Sequence, residues 1–246
     1  YILGDMAGLL GSVNIGNTGG GTNWPGAGLD PETKIAYLPA SNSGVTAGSL
    51  VEGPAGYSDI KYLAGVKGTE FRLREGPGFG SAADAPRTEA NAAIAGVGLP
   101  TPPPLTVQGM PVVKPPYGLL AAIDLNKGDL MWQVPHGDTP DVVRNHPLLK
   151  GLTIPKTGQN GAVGLVITRT LVVMGDPQVT TTPGRPRGAM LRAYDKKTGA
   201  EVGAVYLPAQ QSGSPMTYML DGKQYIVVAV SGGNYSGEYI AFRLPD

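Results

Sequence analysis

Two segments of this chain carry the same short pattern, and that pattern limits what the chain can fold into. Ala121-Ala122-Ile123-Asp124-Leu125-Asn126-Lys127-Gly128-Asp129-Leu130-Met131-Trp132 and Leu191-Arg192-Ala193-Tyr194-Asp195-Lys196-Lys197-Thr198-Gly199-Ala200-Glu201-Val202 both read Ala-x-Asp-x-x-x-Gly between apolar runs. Asp can accept hydrogen bonds from turn amides, and Gly can take a positive φ. Each segment is therefore predicted to be a strand, a tight turn and a returning strand. Recurrence of such a unit signals a radial or solenoid architecture. Asp124 and Asp195 lie farther apart than the about 40–50 residues of one propeller blade, which places an insertion near residues 137–160.

The rest of the chain agrees with an all-β fold. Helical periodicity is weak throughout, and short apolar runs are bounded by Gly, Pro, Asn and Asp. Strands are predicted at Ile35–Pro39, Gly118–Asp124, Leu130–Val134, Gly164–Thr168, Leu171–Gly175, Met190–Tyr194, Glu201–Leu207, Pro215–Leu220, Gln224–Val230 and Glu238–Leu244. Residues 41–113 read differently. They are rich in Gly, Ala, Ser and Pro and include Leu99-Pro100-Thr101-Pro102-Pro103-Pro104. A structureless loop of that length is unusual in a compact domain, so this stretch is expected to be an insertion between two strands of one sheet. Its charges Lys67, Glu70, Arg72, Arg74 and Glu75 are expected to be solvated.

Composition excludes several classes. The chain has 19 basic and 19 acidic residues, so no basic excess exists to neutralise a nucleic acid. It has no Cys, hence no disulfide, thiolate or cysteine metal site. No apolar window approaches the about 18 residues of a membrane-spanning helix. The start, Tyr1-Ile2-Leu3-Gly4, reads like the middle of a strand and turn. It leads to the expectation of a fragment, a processed chain or a split subunit, with a removed leader as the simpler alternative.

Upstream lies Gly20-Gly21-Thr22-Asn23-Trp24-Pro25-Gly26, followed by Leu29-Asp30-Pro31-Glu32-Thr33-Lys34-Ile35-Ala36-Tyr37-Leu38-Pro39. Glycines let backbone approach a flat ligand. An Asn amide can donate to a quinone oxygen or a carboxylate. A Trp supplies a rigid apolar wall. A tight turn closing a strand pair is the other reading of these residues. The segment resembles the Gly-Gly-x-Asn-Trp turn and Asp-Pro-x-Thr-Gly-x-x-Tyr-x-Pro strand pair of the pyrroloquinoline quinone (PQQ) dehydrogenases. The repeats resemble that family's tryptophan-docking motif, Ala-x-Asp-x-x-x-Gly-x-x-x-Trp. Trp132 keeps the motif, whereas Gly203 stands at the Trp position of the second repeat.

The likeness extends through Pro115-Pro116-Tyr117-Gly118 and Trp132-Gln133-Val134-Pro135-His136-Gly137-Asp138. It continues in Gly213-Ser214-Pro215-Met216-Thr217-Tyr218, Gly222-Lys223-Gln224-Tyr225-Ile226-Val227-Val228, Gly232-Gly233 and the closing run from Gly237 to Asp246. It covers about residues 15–40 and 115–246 and is similar to the end of the glucose and polyol branch.

The resemblance implies a single partial domain over residues 1–246, about half of an eight-bladed propeller, with residues 41–113 inserted. It implies PQQ as cofactor, with Ca²⁺ held by ligands outside this chain. It also implies an N-terminal half as partner, a sugar, polyol or alcohol as substrate, an electron acceptor such as a cytochrome c or a quinone, and a periplasmic or membrane-associated location. Asn23 and Trp24 are the implied cofactor contacts, with Asn234 and Tyr235 after Ser231-Gly232-Gly233 as a second pair.

Departures matter too. Gly161-Ala162-Val163-Gly164-Leu165-Val166-Ile167 lacks the family's double Gly, and 22 residues precede Asn23, too few for the family's catalytic Asp, its Ca²⁺ ligands and its stacking Trp. No catalytic or metal-binding residue is therefore assigned. His136 and His146 have no ligand spacing and are expected in a loop near one face. Asp138, Asp141, Arg144 and Lys150 are expected to be solvated at a funnel entrance, and Asp176 and Asp195 to bond turn amides. Gly19-Gly20-Gly21 is not a phosphate loop, because no helix or Lys follows in that spacing. A non-catalytic propeller scaffold of the bacterial envelope and an inactive dehydrogenase homologue are the alternatives.

Overall fold

The computed structural model describes residues 2–3, 12–14, 21–42, 46–52, 56, 59, 61–65 and 106–243. The glycines at 19 and 20, the Pro-rich run, the charges from Lys67 to Glu75 and Leu244 lie outside them. The chain divides into two compact units, residues 1–17 with 44–112 and residues 18–43 with 113–246.

In the first unit, Thr46–Glu52 pairs in parallel with Ile2–Leu3 and antiparallel with Ser12–Asn14 and Tyr62–Gly65. A short hairpin joins Thr106–Val107 to Met110–Pro111. Ile2–Leu3 agrees with the strand reading of the start of the chain, and the other strands were not expected. Thr-Ala-Gly-Ser-Leu-Val-Glu alternates poorly, and small residues hide a strand signal that rests on period two.

The second unit holds three antiparallel sheets. The first runs Gly28–Asp30, Ile35–Ser41, Gly118–Asp124, Asp129–Pro135. The second runs Leu165–Ile167, Leu171–Gly175, Ala189–Asp195, Glu201–Leu207. The third runs Met216–Leu220, Lys223–Gly232, Tyr235–Arg243. Ile35–Ser41 and Gly118–Asp124 are hydrogen-bonded neighbours, so residues 42–117 leave and rejoin one sheet between adjacent strands.

Packing follows the period-two alternation of a strand. Val172, Met174 and Tyr194 of the second sheet pack with Tyr37, Leu120 and Ala122 of the first. On its opposite face, Val173, Leu191 and Leu207 pack with Val228 and Val230 of the third. A sheet buried on both faces reads as a continuous apolar run, as Leu171-Val172-Val173-Met174 does. Each such side chain contributes about 1.5–3 kcal/mol when fully buried. The leading strands of neighbouring sheets also touch. A Cβ on Gly28 would lie 2.5 Å from Leu165 Cδ1, and one on Gly164 would lie 1.9 Å from Ser214 Oγ, so glycine alone permits the approach.

Both repeats form the turns read from their sequence. Asp124 Oδ1 accepts from Asn126 N at 2.9 Å, and Asp195 Oδ1 accepts from Thr198 N at 2.9 Å. Gly128 and Gly199 take φ of 77° and 73°. A third turn of this kind spans Asp30 to Lys34, where Lys34 holds φ 56° in place of Gly.

The first two sheets are tied at these turns. Trp132 Nε1 donates to Lys196 O at 3.1 Å, and its ring lies over Gly199, where a Cβ would sit 2.6 Å from Cε3. Lys196 Nζ donates to Asp30 Oδ2 at 2.5 Å. That bond, with Thr33 and the Glu32 amide, holds the Asp30 carboxyl down at about 2.

Candidate functional site

The four candidate contact residues sit at the ends of strands in two different sheets. Gly21 exchanges backbone hydrogen bonds with Ser41 at 2.6 and 2.9 Å, which anchors the approach to the first sheet. A turn follows, with Gly26 N donating to Asn23 O at 2.7 Å. Asn23 Oδ1 accepts from Trp24 N at 2.7 Å, so the side-chain oxygen shapes the turn. Gly21 and Gly26 take φ of 73° and 70°, as the reversal requires. The result is a half-buried Asn23 beside a Trp24 that is 95% exposed. A Trp so far into solvent gains nothing from the core, and the turn leaves its whole face open to a ligand or a neighbouring surface.

Asn234 and Tyr235 lie on the hairpin of the third sheet. Gly232 pairs with Tyr235, which leaves Gly233-Asn234 as a two-residue loop, and Gly233 holds φ 59°. Asn234 is exposed. The Tyr235 hydroxyl donates to Glu238, and this bond pushes the phenol pKa up, so its proton is committed within the hairpin.

Between these turns, the strand ends of all three sheets meet in buried polar groups. His136 is 2% exposed, with Nδ1 2.9 Å from the Tyr194 hydroxyl and Nε2 3.0 Å from Gly175 O. Burial holds its pKa at about 3, so it is neutral at physiological pH. It was expected in a loop near one face. It does follow the last residue of the strand Asp129–Pro135, but its side chain is buried against Tyr194 and Gly175 of the second sheet.

Asp176 also departs from expectation. Besides accepting from Met190 N at 3.2 Å, it receives a fork from Arg192 Nε and Nη2 at 2.6 and 2.9 Å, with no solvent exposure. Arg192 also meets Asp138 at 3.1 Å and Glu201 at 2.9 Å. Burial opposes the Arg192 charge, but Asp176, Asp138 and Glu201 outweigh it and hold the guanidinium above its usual range. Asp138 bonds Arg185, and Asp141 bonds Arg187 and the Thr181 amide, so these acids brace loops instead of standing in solvent. Lys150 is exposed, as expected, and His146 accepts from Leu148 N at the start of a short helix. Each carboxylate named here meets an arginine, and the geometry is that of a structural clamp. Among the described residues, no group of three or more His, Asp or Glu could hold a metal ion.

Sequence reasoning missed Gln211, which is 5% exposed. Its Oε1 accepts from Gly175 N at 2.5 Å and its Nε2 donates to Gly164 O at 2.7 Å. Nothing in Ala209-Gln210-Gln211-Ser212 marks it, because the partners are 36 and 47 residues away. Arg192 did leave a signal, a charged residue inside the apolar strand Ala189–Asp195.

The sequence model of the glucose/ethanol/alcohol dehydrogenase β-propeller domain matches residues 7–226. The chain is 36% identical over 153 residues to a probable quinate dehydrogenase (quinone) of Xanthomonas campestris pv. juglandis, covering 58% of this chain and 18% of that protein. It is 31% identical over 147 residues to quinoprotein glucose dehydrogenase A of Acinetobacter calcoaceticus, covering 58% and 17%. It is 26% identical over 232 residues to the quinoprotein glucose dehydrogenase of Escherichia coli K12, covering 91% and 25%. The chain thus spans a quarter or less of the length of these relatives.

Proposed function

Because this chain belongs to the glucose/ethanol/alcohol dehydrogenase β-propeller family, we propose that it is a segment of a PQQ-dependent dehydrogenase. The reading extends to a protein that oxidises a sugar, polyol, alcohol or quinate-like hydroxyl and passes the electrons to an external acceptor such as a cytochrome c or a quinone. When bound, PQQ is the group that takes two electrons from the C–H(OH) carbon. The observation that carries the reading is the turn from Gly21 to Gly26, with a half-buried amide donor beside a solvent-facing indole. Gly21 adds open space, since a Cβ there would meet nothing within 4 Å. These features fit a flat, polycarboxylate cofactor: Asn23 would donate to an anionic oxygen, Trp24 would wall one side, and Asn234 would approach from the third sheet.

We read the three sheets as successive blades, with Trp132 on Gly199 as the docking contact between the first two. Eight blades are completed by an N-terminal half of the protein. That half also supplies the metal ligands, for which Ca²⁺ is the proposed ion, and the base. We place the protein in the periplasm on family resemblance. The likeness to quinoprotein dehydrogenases favours this reading over a non-catalytic scaffold.

The test is a PQQ titration of the metal-loaded whole apoenzyme. Hydrogen bonds to charged groups contribute about 1.5–3 kcal/mol, so Asn23→Ala is expected to weaken PQQ binding roughly ten- to hundredfold with the fold intact. Unchanged affinity in a folded variant reduces the segment to a structural turn. Failure of the unaltered protein to bind PQQ or reduce a dye removes the dehydrogenase reading altogether.

A further inference from the structure

We propose that Gln211 is the positioning residue that sets the spacing between the two turns assigned to the cofactor, an inference that rests on the functional reading above. The turns belong to different sheets, and a continuous series of strand-end hydrogen bonds joins them. Beginning at the first sheet, Gly21 is paired with Ser41, two residues before Asn23. Ser41 Oγ accepts from Gly161 N at 3.2 Å, which fastens the segment leading to Gly164.

Gln211 then makes the junction. Its amide joins Gly164 O, ahead of the leading strand of the second sheet, to Gly175 N, at the end of the next strand. Its backbone N donates to Asp176 O at 3.1 Å, and its main chain bridges Val230 of the third sheet. The flanking residues complete a clamp on that strand. Ser212 N donates to Ala229 O at 2.9 Å and Ser231 N donates to Gln210 O at 3.1 Å. Gln210 also covers Gly232, where a Cβ would lie 2.5 Å from its Nε2. Asn234 comes two residues later.

The chemistry at this junction needs one neutral group that both accepts and donates, which is what a Gln amide supplies. Gly175 is fitted to it, since a Cβ there would lie 2.8 Å from Gln211 Oε1. None of these atoms belongs to the residues assigned to cofactor contact, so Gln211 acts on the cofactor only through where it holds them.

This argument predicts an unusual variant. In Gln211→Glu, an ionised carboxylate accepts at both oxygens and faces Gly164 O without a donor. A protonated carboxyl donates to Gly164 O and accepts from Gly175 N, restoring the original pattern. Burial favours the protonated form, so the restoration falls in the mildly acidic range.

PQQ is titrated by fluorescence quenching into the metal-loaded whole apoenzyme, unaltered and variant, at pH 8 and pH 5. Taking the ratio of the two proteins at each pH removes the titration of PQQ itself. The variant is expected to bind roughly tenfold more weakly at pH 8, the size of effect that residues off the ligand exert. At pH 5 its affinity returns toward that of the unaltered protein. A ratio near one at both pH values, or one that does not change with pH, in a variant with native near-UV dichroism overturns the proposal. Should Gln211→Glu fail to fold at pH 8, Gln211→Met serves as second variant, because it keeps the length of the side chain and removes both amide bonds without adding a charge. Weaker PQQ binding there supports the clamp, and unchanged binding overturns it. Absence of PQQ binding by the unaltered protein sinks the functional reading itself, whereas normal binding with unaffected variants sinks only the role of Gln211.

Discussion

Gly199→Ala and Gly128→Ala form a matched pair that isolates the contact between Trp132 and the next sheet. Both glycines occupy the same position of the Asp-x-x-x-Gly turn, with φ of 73° and 77°. An added Cβ costs both of them about 1–2 kcal/mol for the left-handed backbone. They differ in what the methyl meets. At Gly128 nothing lies within 4 Å, whereas at Gly199 the methyl would sit 2.6 Å from Cε3 and 2.8 Å from Cδ2 of Trp132. Those are fused-ring atoms that cannot swing aside as the end of a flexible chain does. Overpacking of this kind costs about 1–3 kcal/mol more. Gly199→Ala is therefore expected to destabilise by roughly 2–5 kcal/mol and Gly128→Ala by only the backbone share. Thermal and urea denaturation of the whole protein measure both. Combining Gly199→Ala with Trp132→Ala should recover the excess, because the clash partner is gone, and the non-additivity gives the coupling directly. Equal losses in the two glycine variants, or strict additivity in the double variant, would show that Trp132 does not rest on Gly199 and would remove the docking contact.

Three further outcomes follow from the same geometry. Burial holds His136 near 3 against an ordinary value of 6.5, so its contribution to stability is complete above pH 6.5 and is lost as pH falls toward 3. Between pH 7 and pH 5 this is worth about 2 kcal/mol, and His136→Gln should flatten that part of the pH–stability profile; an unchanged slope refutes the buried neutral imidazole. Lys196→Met should raise the pH of acid unfolding, since the depressed Asp30 pKa stabilises above 3.8 and that support fades toward about 2; an unchanged acid midpoint counts against the Asp30–Lys196 pair. The outward face of the third sheet carries Met216 at 52%, Leu220 at 51% and Tyr239 at 81% exposure. A patch of this kind marks an interface, so the isolated chain should scatter light as complexes or aggregates, and a monodisperse monomer with a sharp melt would defeat the expectation.

The sequence carried the local information well. Turn chemistry is local, so Asp124 with Gly128 and Asp195 with Gly199 were legible from spacing alone, as were the strands on either side. The Asn23-Trp24 turn was legible for the same reason, whereas the last two strands run closer together than expected and leave only Gly233-Asn234 between them. Beyond Ile2–Leu3, the strands of the first unit were not legible, because the sequence of Thr46–Glu52 lacks the alternation that reveals a half-buried strand.

What the tertiary structure alone decided is which distant groups share a buried space. His136 and Asp176 looked like loop and turn residues because their partners, Tyr194 and Arg192, lie 58 and 16 residues away. Gln211 was invisible because a single amide has meaning only once Gly164 and Gly175 converge on it. Hydrogen bonds within a turn are set by a few consecutive dihedral angles, and residue order fixes those. Hydrogen bonds between sheets depend on register and packing across the whole unit, which are settled only when the apolar faces of Val172, Leu120, Val173 and Val228 close on one another.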